Sequence, residues 1–170
     1  LPRIAAGDCY FGIGMSEPGA GSDLAAVTTR AVAVDGGHAI TGGKLWTSNA
    51  RIAHYLIVLA RTAPPEDRNR HARLTQFIVD LKTPGIEIRP IEDLPGRRDF
   101  NQVFFDDVFV PEDMRLGAEG DGWALVTGEL AYERSGPERI LSNLALLRTA
   151  VDAKRADADR GERADIGRTI

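Results

Sequence analysis

The stretch GMSEPGAGSD, Gly14–Asp23, places three glycines and a proline around the acid Glu17 and closes on a Ser-Asp pair. The segment before it, CYFGIGM (Cys9–Met15), reads as extended. Ser22 or Asp23 is then positioned to cap a short helix running through Ala26. Glycines allow another group to approach the backbone closely, and turn amides and helix starts attract anions and carbonyl-like acceptors. On these grounds alone, a binding turn and a plain strand-to-turn connection stand level. The rest of the sequence decides between them.

With 170 residues, 43% hydrophobic and 27% charged, the chain is long enough for one core, or for one core with a helical appendage. Twenty-one basic residues stand against 25 acidic ones, a net charge of −4, with no Lys/Arg block interleaved with aromatics. This pattern argues against a nucleic-acid partner. Cys9 is the single cysteine and forms no internal disulfide. No apolar run is long enough for a membrane helix, and the setting expected is cytoplasmic. A chain opening on Leu1 and closing on a polar run reads as a piece of something longer.

Short β-type runs separated by turn signals fill residues 27–110: VTTRAVAV (27–34), HAITG (38–42), HYLIVLAR (54–61), LTQFIVDL (74–81), IEIRPI (86–91) and NQVFFDDVFV (101–110). Such spacing predicts an antiparallel β-barrel or sandwich. DGG at 35–37 reads as a hairpin turn, and PPEDRNRHAR at 64–73 as a solvated hairpin tip. After Pro111 the pattern turns helical. Trp123, Val126 and Leu130, then Ile140, Leu144, Leu147 and Val151, keep the spacing of one buried helical face. Pro137 predicts a kink or break near Gly136, and the polar tail from Asp152 reads as a frayed edge. The expected organisation is a β-domain over residues 1–115 and the start of a helical domain over 116–170.

Common catalytic patterns fail. Glu17 and Leu24 stand where a dinucleotide fingerprint needs its third glycine, and GGK at 42–44 lacks both the first glycine and the hydroxyl of a phosphate loop. His38, His54 and His71 share no metal-ligand spacing, and there is no Gly-x-Ser-x-Gly elbow. What remains is a second element, GGKLWTSNA (42–50), set after a hairpin that returns it toward the opening stretch.

Together MSEPGAGSDLAAVTTRA (15–31), ITGGKLWTSNA (40–50), FIVDLKTPGIEI (77–88), NQVFFDDVFVPEDMRLG (101–117) and GWALVTGELAYERSG (122–136) resemble the acyl-CoA dehydrogenase family, in the family's order and over most of the chain. The resemblance implies the family's central β-domain and the first helices of its C-terminal helical bundle. It implies FAD as cofactor, with Ile13, Met15, Ser16, Gly21, Ser22, Trp46, Thr47 and Ser48 toward it, Trp46 as an aromatic wall and the Ser48 hydroxyl at the flavin edge. Many members carry threonine where Ser16 and Ser48 stand, which keeps the hydroxyl.

The implied activity is α,β-dehydrogenation of an acyl-CoA thioester to a 2-enoyl-CoA in lipid catabolism. The implied partners are the acyl-CoA, an electron-transfer flavoprotein and further subunits of a homo- or hetero-oligomer. Ser22 and Arg134 match positions near the CoA chain, although Ala131 replaces an acid found in some members. Glu133 matches the catalytic base of those members that carry it on this helix. Its seven-residue spacing from Val126 and Ile140 predicts a carboxylate on the apolar face, with burial and the neighbouring Glu129 raising its pKa. Two alternatives stay beside this reading: a non-catalytic subunit of a hetero-oligomeric dehydrogenase, and an oxygen-using relative such as an acyl-CoA oxidase.

Overall fold

The computed structural model describes residues 2–63 and 69–154. A short helix α1 (Pro2–Ala5) precedes β1 (Phe11–Gly14), and a 3-10 turn at Leu24–Ala26 leads into β2 (Arg30–Val34) and β3 (Gly37–Ser48). Then follow β4 (Tyr55–Arg61), β5 (Leu74–Asp80), β6 (Ile86–Ile91), β7 (Phe100–Pro111) and the short β8 (Arg115–Leu116), and finally α2 (Gly122–Arg134) and α3 (Glu138–Lys154). The strands rise where β-branched and aromatic residues cluster, as the sequence predicts. Of the expected tip at 64–73, residues 64–68 lie outside the described residues, as does the expected polar tail from residue 155 on.

The strands join in the order β6-β7-β3-β2-β4-β5-β8, with β1 beside β4. Most neighbours are antiparallel, but β1 runs parallel to β4, and β2 meets β4 in parallel at the single rung Arg30↔Arg61. The sheet is therefore mixed and open, where the sequence pattern suggests antiparallel pairing throughout. Its narrow β2–β4 join separates a β6-β7-β3-β2 half from a β4-β5-β8 half. Ile40, Val103, Phe105, Val108 and Val110 from the first half form one core with Leu56, Val58, Ala60, Phe77 and Val79 from the second. Inner faces interdigitating in this way are the basis of sandwich packing.

β3 runs six residues past the expected HAITG segment, because its pairing with β7 continues through Gly42 and Gly43. Gly42 has φ +149°, and a Cβ there would lie 2.7 Å from Thr29 Cα. Only glycine lets the strand cross Thr29 at this separation. The DGG turn is present, with Gly36 at φ +74° linking β2 to β3.

By packing, the chain divides into two compact units, residues 1–126 and 127–170. In the second, α2 ends at Arg134 and α3 begins at Glu138, so the break falls around Pro137 as the missing donor requires. Leu144, Leu147 and Val151 are half-buried on one side of α3 while Leu141 and Leu146 are exposed.

Two glycines with positive φ separate conformational strain from crowding. Gly36→Ala adds a methyl into open space and is expected to cost about 1 kcal/mol. Gly42→Ala meets the Thr29 backbone and is expected to cost roughly 3 kcal/mol. Urea denaturation of the two variants in the full-length protein measures the difference; equal costs would contradict the close crossing at Thr29.

Candidate functional site

The acid at the centre of the opening stretch is buried. Glu17 Oε1 accepts from Lys44 Nζ at 2.8 Å and from the Thr29 amide at 3.0 Å, and Oε2 accepts from the Thr28 amide and hydroxyl at 2.7 Å each. The Lys44 side chain, 0% exposed, also donates to the Met15 carbonyl at 3.0 Å. Burial alone would raise the Glu17 carboxyl, but the Lys44 charge and the threonine donors outweigh it and hold the pKa at about 2. For Lys44 burial dominates, lowering it to about 8 against the pull of Glu17. The asymmetry follows from the partners: four donors surround the carboxylate, whereas two acceptors among the described residues meet the ammonium.

This pair fixes the PGAG turn beside β3. Glu17 and Ala20 exchange backbone hydrogen bonds of 2.8 and 3.1 Å, which closes the turn, and the Leu45 amide donates to the Ser16 carbonyl at 2.8 Å. Gly12 and Gly14 face inward, where a Cβ would lie 2.6 Å from Leu56 Cδ2 and 3.3 Å from Lys44 Cγ respectively. β1 thus lies on the Lys44 stem with Phe11 and Ile13 exposed on its other side.

Directly after Lys44, β3 carries a bulge. Lys44 pairs with Val103 and Thr47 with Asn101, so two β3 residues, Leu45 and Trp46, oppose Gln102 alone. Trp46 adopts φ +59°, a left-handed conformation uncommon for a bulky residue; the residue is 57% exposed, with its ring edge-on to Phe100 at 6.0 Å. Thr47 is buried; its carbonyl accepts from Asn101 Nδ2 at 3.0 Å, and its hydroxyl has no partner among the described residues. Ser48 is exposed.

The structure therefore ties Met15 and Ser16, both half-buried, to Lys44 and Leu45, the residues directly before Trp46, Thr47 and Ser48, while Ile13 pairs with Ile57 of β4. Gly21 and Ser22 lie exposed on the same turn. The expected short helix through Ala26 is present as the 3-10 turn Leu24–Ala26 with Asp23 at its N-cap position, but Asp23 makes no side-chain cap; its carboxylate pairs with Arg70 at 2.6 Å instead. In the second unit Glu133 is exposed on α2, so the expected burial on an apolar face is not found in this chain. A helix spacing gives the face a residue shares, but not what covers that face. The Arg134 side chain lies outside the described ones.

An exposed indole, adjacent serine hydroxyls and a rigid backing suit a planar aromatic cofactor with a polar edge, so the residues present fit a flavin. Sequence reasoning missed the residues behind this face: Glu17, Lys44 and Asn101. The available signal was a lone lysine between apolar strand positions, with an acid isolated among glycines.

A family model described as "Acyl-CoA dehydrogenase, middle domain" matches residues 12–108. Acyl-CoA dehydrogenase FadE34 of Mycobacterium tuberculosis is 54% identical over 134 residues, covering 79% of this chain and 19% of that protein. The solved Tcur3481-Tcur3483 steroid ACAD superposes with a TM-score of 0.79 at 33% identity, over 99% of this chain and 44% of that one. The ChsE4-ChsE5 complex of M. tuberculosis does so with a TM-score of 0.74 at 37% identity, over 95% of this chain and 41% of that one. The chain thus spans less than half the length of each of these relatives.

The depressed Glu17 pKa sets a pH window. Between its ordinary value of 4.5 and about 2, the unfolded carboxylate takes up a proton that the native one refuses, so stability is full above this window and falls as pH drops through it. The loss expected is on the order of 3 kcal/mol. Urea denaturation of the full-length protein at pH values through the window should show this slope, and Glu17→Gln should flatten it. An equal slope in the variant would contradict the assignment.

Proposed function

The chain belongs to the acyl-CoA dehydrogenase family through its middle domain, and we propose that the full-length protein catalyses FAD-dependent α,β-dehydrogenation of an acyl-CoA thioester to a 2-enoyl-CoA. The observation that carries this reading is the juxtaposition of Met15–Ser16 with Trp46–Ser48 over the buried Glu17–Lys44 pair, which leaves the indole and the Ser48 hydroxyl facing outward. When bound, FAD supplies the two-electron acceptor for the hydride that leaves the substrate's β-carbon.

The protein's own residues hold and prepare the reactants. Trp46 gives the ring system a flat apolar wall and Ile13 adds apolar surface, while the Ser16 and Ser48 hydroxyls and the backbone near Met15 and Thr47 meet its polar edge. Ser22, on the exposed turn, and Arg134, on α2, bind along the CoA chain. The Glu133 carboxylate takes the α-proton of the thioester, and the proton stays on its carboxyl oxygen. Donors fixed before substrate arrives stabilise the enolate-like charge on the thioester oxygen at less reorganisation cost than water would require. An electron-transfer flavoprotein is the proposed acceptor downstream, and the proposed assembly is a homo- or hetero-oligomer. The names of two structural relatives, each of which joins two different proteins, support the latter.

Two substitutions in the full-length protein test the reading. Ser48→Ala removes one donor to the flavin edge and should weaken FAD binding by about 1 kcal/mol, roughly fivefold, by equilibrium titration. Unchanged affinity and reduction rate would remove Ser48 from the site. Glu133→Gln should retain FAD and slow single-turnover flavin reduction by an acyl-CoA by about 10²-fold or more. Near-normal reduction would place the base elsewhere in the protein.

A further inference from the structure

We propose that Lys44 is a positioning residue for the cofactor face, setting the Met15–Ser16 segment against Trp46–Ser48 without touching the cofactor itself. The proposal rests on the flavin reading above. Lys44 is fully buried, so its effect on anything bound at the outer face must pass through the groups it holds. Its stem runs directly beneath β1, with Cγ 3.3 Å from where a Cβ on Gly14 would stand, and its Nζ emerges at the Met15 carbonyl.

The next residue in the chain completes the clamp. The Leu45 amide holds the Ser16 carbonyl at 2.8 Å, so the dipeptide Lys44–Leu45 grips two consecutive carbonyls of the opening stretch, one by side chain and one by main chain. The bulge that projects Trp46 begins at the same point. The register between the two cofactor-facing segments is therefore set by one short piece of β3. Glu17 keeps the lysine aimed there, and Thr28 and Thr29 keep Glu17 in place.

A purely structural role is distinguishable. Buried ion pairs are often replaceable by apolar residues of similar volume with little loss of stability, provided both charges are removed together. Removing both charges together takes away the grip on Met15 without stranding either charge in the interior. A buried charge without its partner is costly, so Lys44→Met alone mixes the two effects.

The test uses the full-length protein and the variants Glu17→Gln/Lys44→Met and Gly14→Ala. The added methyl of the latter presses on the Lys44 stem and lifts Met15 while leaving both charges in place. The readouts are the denaturation midpoint of the apoprotein, FAD affinity by fluorescence titration and the visible absorption of the bound flavin. Both variants are expected to bind FAD about tenfold or more weakly, with a shifted flavin band; the midpoint of the Gly14→Ala apoprotein stays close to that of the parent, whereas that of the double variant falls with the loss of the pair. Parental affinity together with an unchanged flavin band in either variant that folds overturns the proposal. Gly14→Ala decides the matter if the double variant does not fold. Absence of FAD binding in the parent protein is a different result, and it overturns the flavin reading on which this proposal rests.

Discussion

A buried lysine and a buried glutamate 2.8 Å apart set the constraint on which the β-domain is organised. Taking both charges out of water costs several kcal/mol each, and their attraction offsets that cost only where the remaining polar atoms also find partners. Here the carboxylate takes four donors and the ammonium two acceptors. Each of these partners must sit in one place, which fixes the turn after β1, the segment leading into β2 and the middle of β3 relative to one another. The PGAG turn has no apolar side chain large enough to anchor it, and the ion pair does so instead.

Arg61 repeats the device at the far end of β4. Its buried guanidinium donates to the carbonyls of Ala25, Val27 and Arg70, which belong to segments distant in sequence. Loop carbonyls that would otherwise be buried without donors are thereby satisfied. The single rung joining β2 to β4 lies at this same residue. Two buried cations thus tie loops to the sheet where strand pairing is sparse, and Trp46 can be held exposed and in a left-handed conformation because its neighbours on both sides are pinned.

Local signals made much of this legible in the sequence. β4, β5, β6 and β7 lie within a residue or so of the runs that predicted them, because valine, isoleucine and aromatic content with flanking turns is a local property. The helix break at Pro137 is local too. The parallel β1–β4 and β2–β4 contacts were not legible, since strand direction depends on where the chain returns and not on composition. The extension of β3 through Gly42–Gly43 was hidden for a related reason, as its pairing is supplied by β7 some sixty residues later. Ser16, Trp46 and Ser48 entered the proposed site through the family's motifs. Glu17 and Lys44 were not assigned, because a pairing across 27 positions leaves no periodic trace. Asp23 offered a textual helix cap, but Arg70 holds its carboxylate instead.

Amide hydrogen exchange on the full-length apoprotein tests most directly whether the buried pair locks the opening stretch to β3. The amides of Thr28 and Thr29 end on Glu17, and that of Leu45 ends on Ser16. If the pair is the lock, these three exchange only through the opening that also exposes core amides such as Val58 and Phe77, at matching rates and before any cofactor is added. Exchange of Thr28, Thr29 and Leu45 at the fast rate of a solvated turn, with the core still protected, would contradict the account.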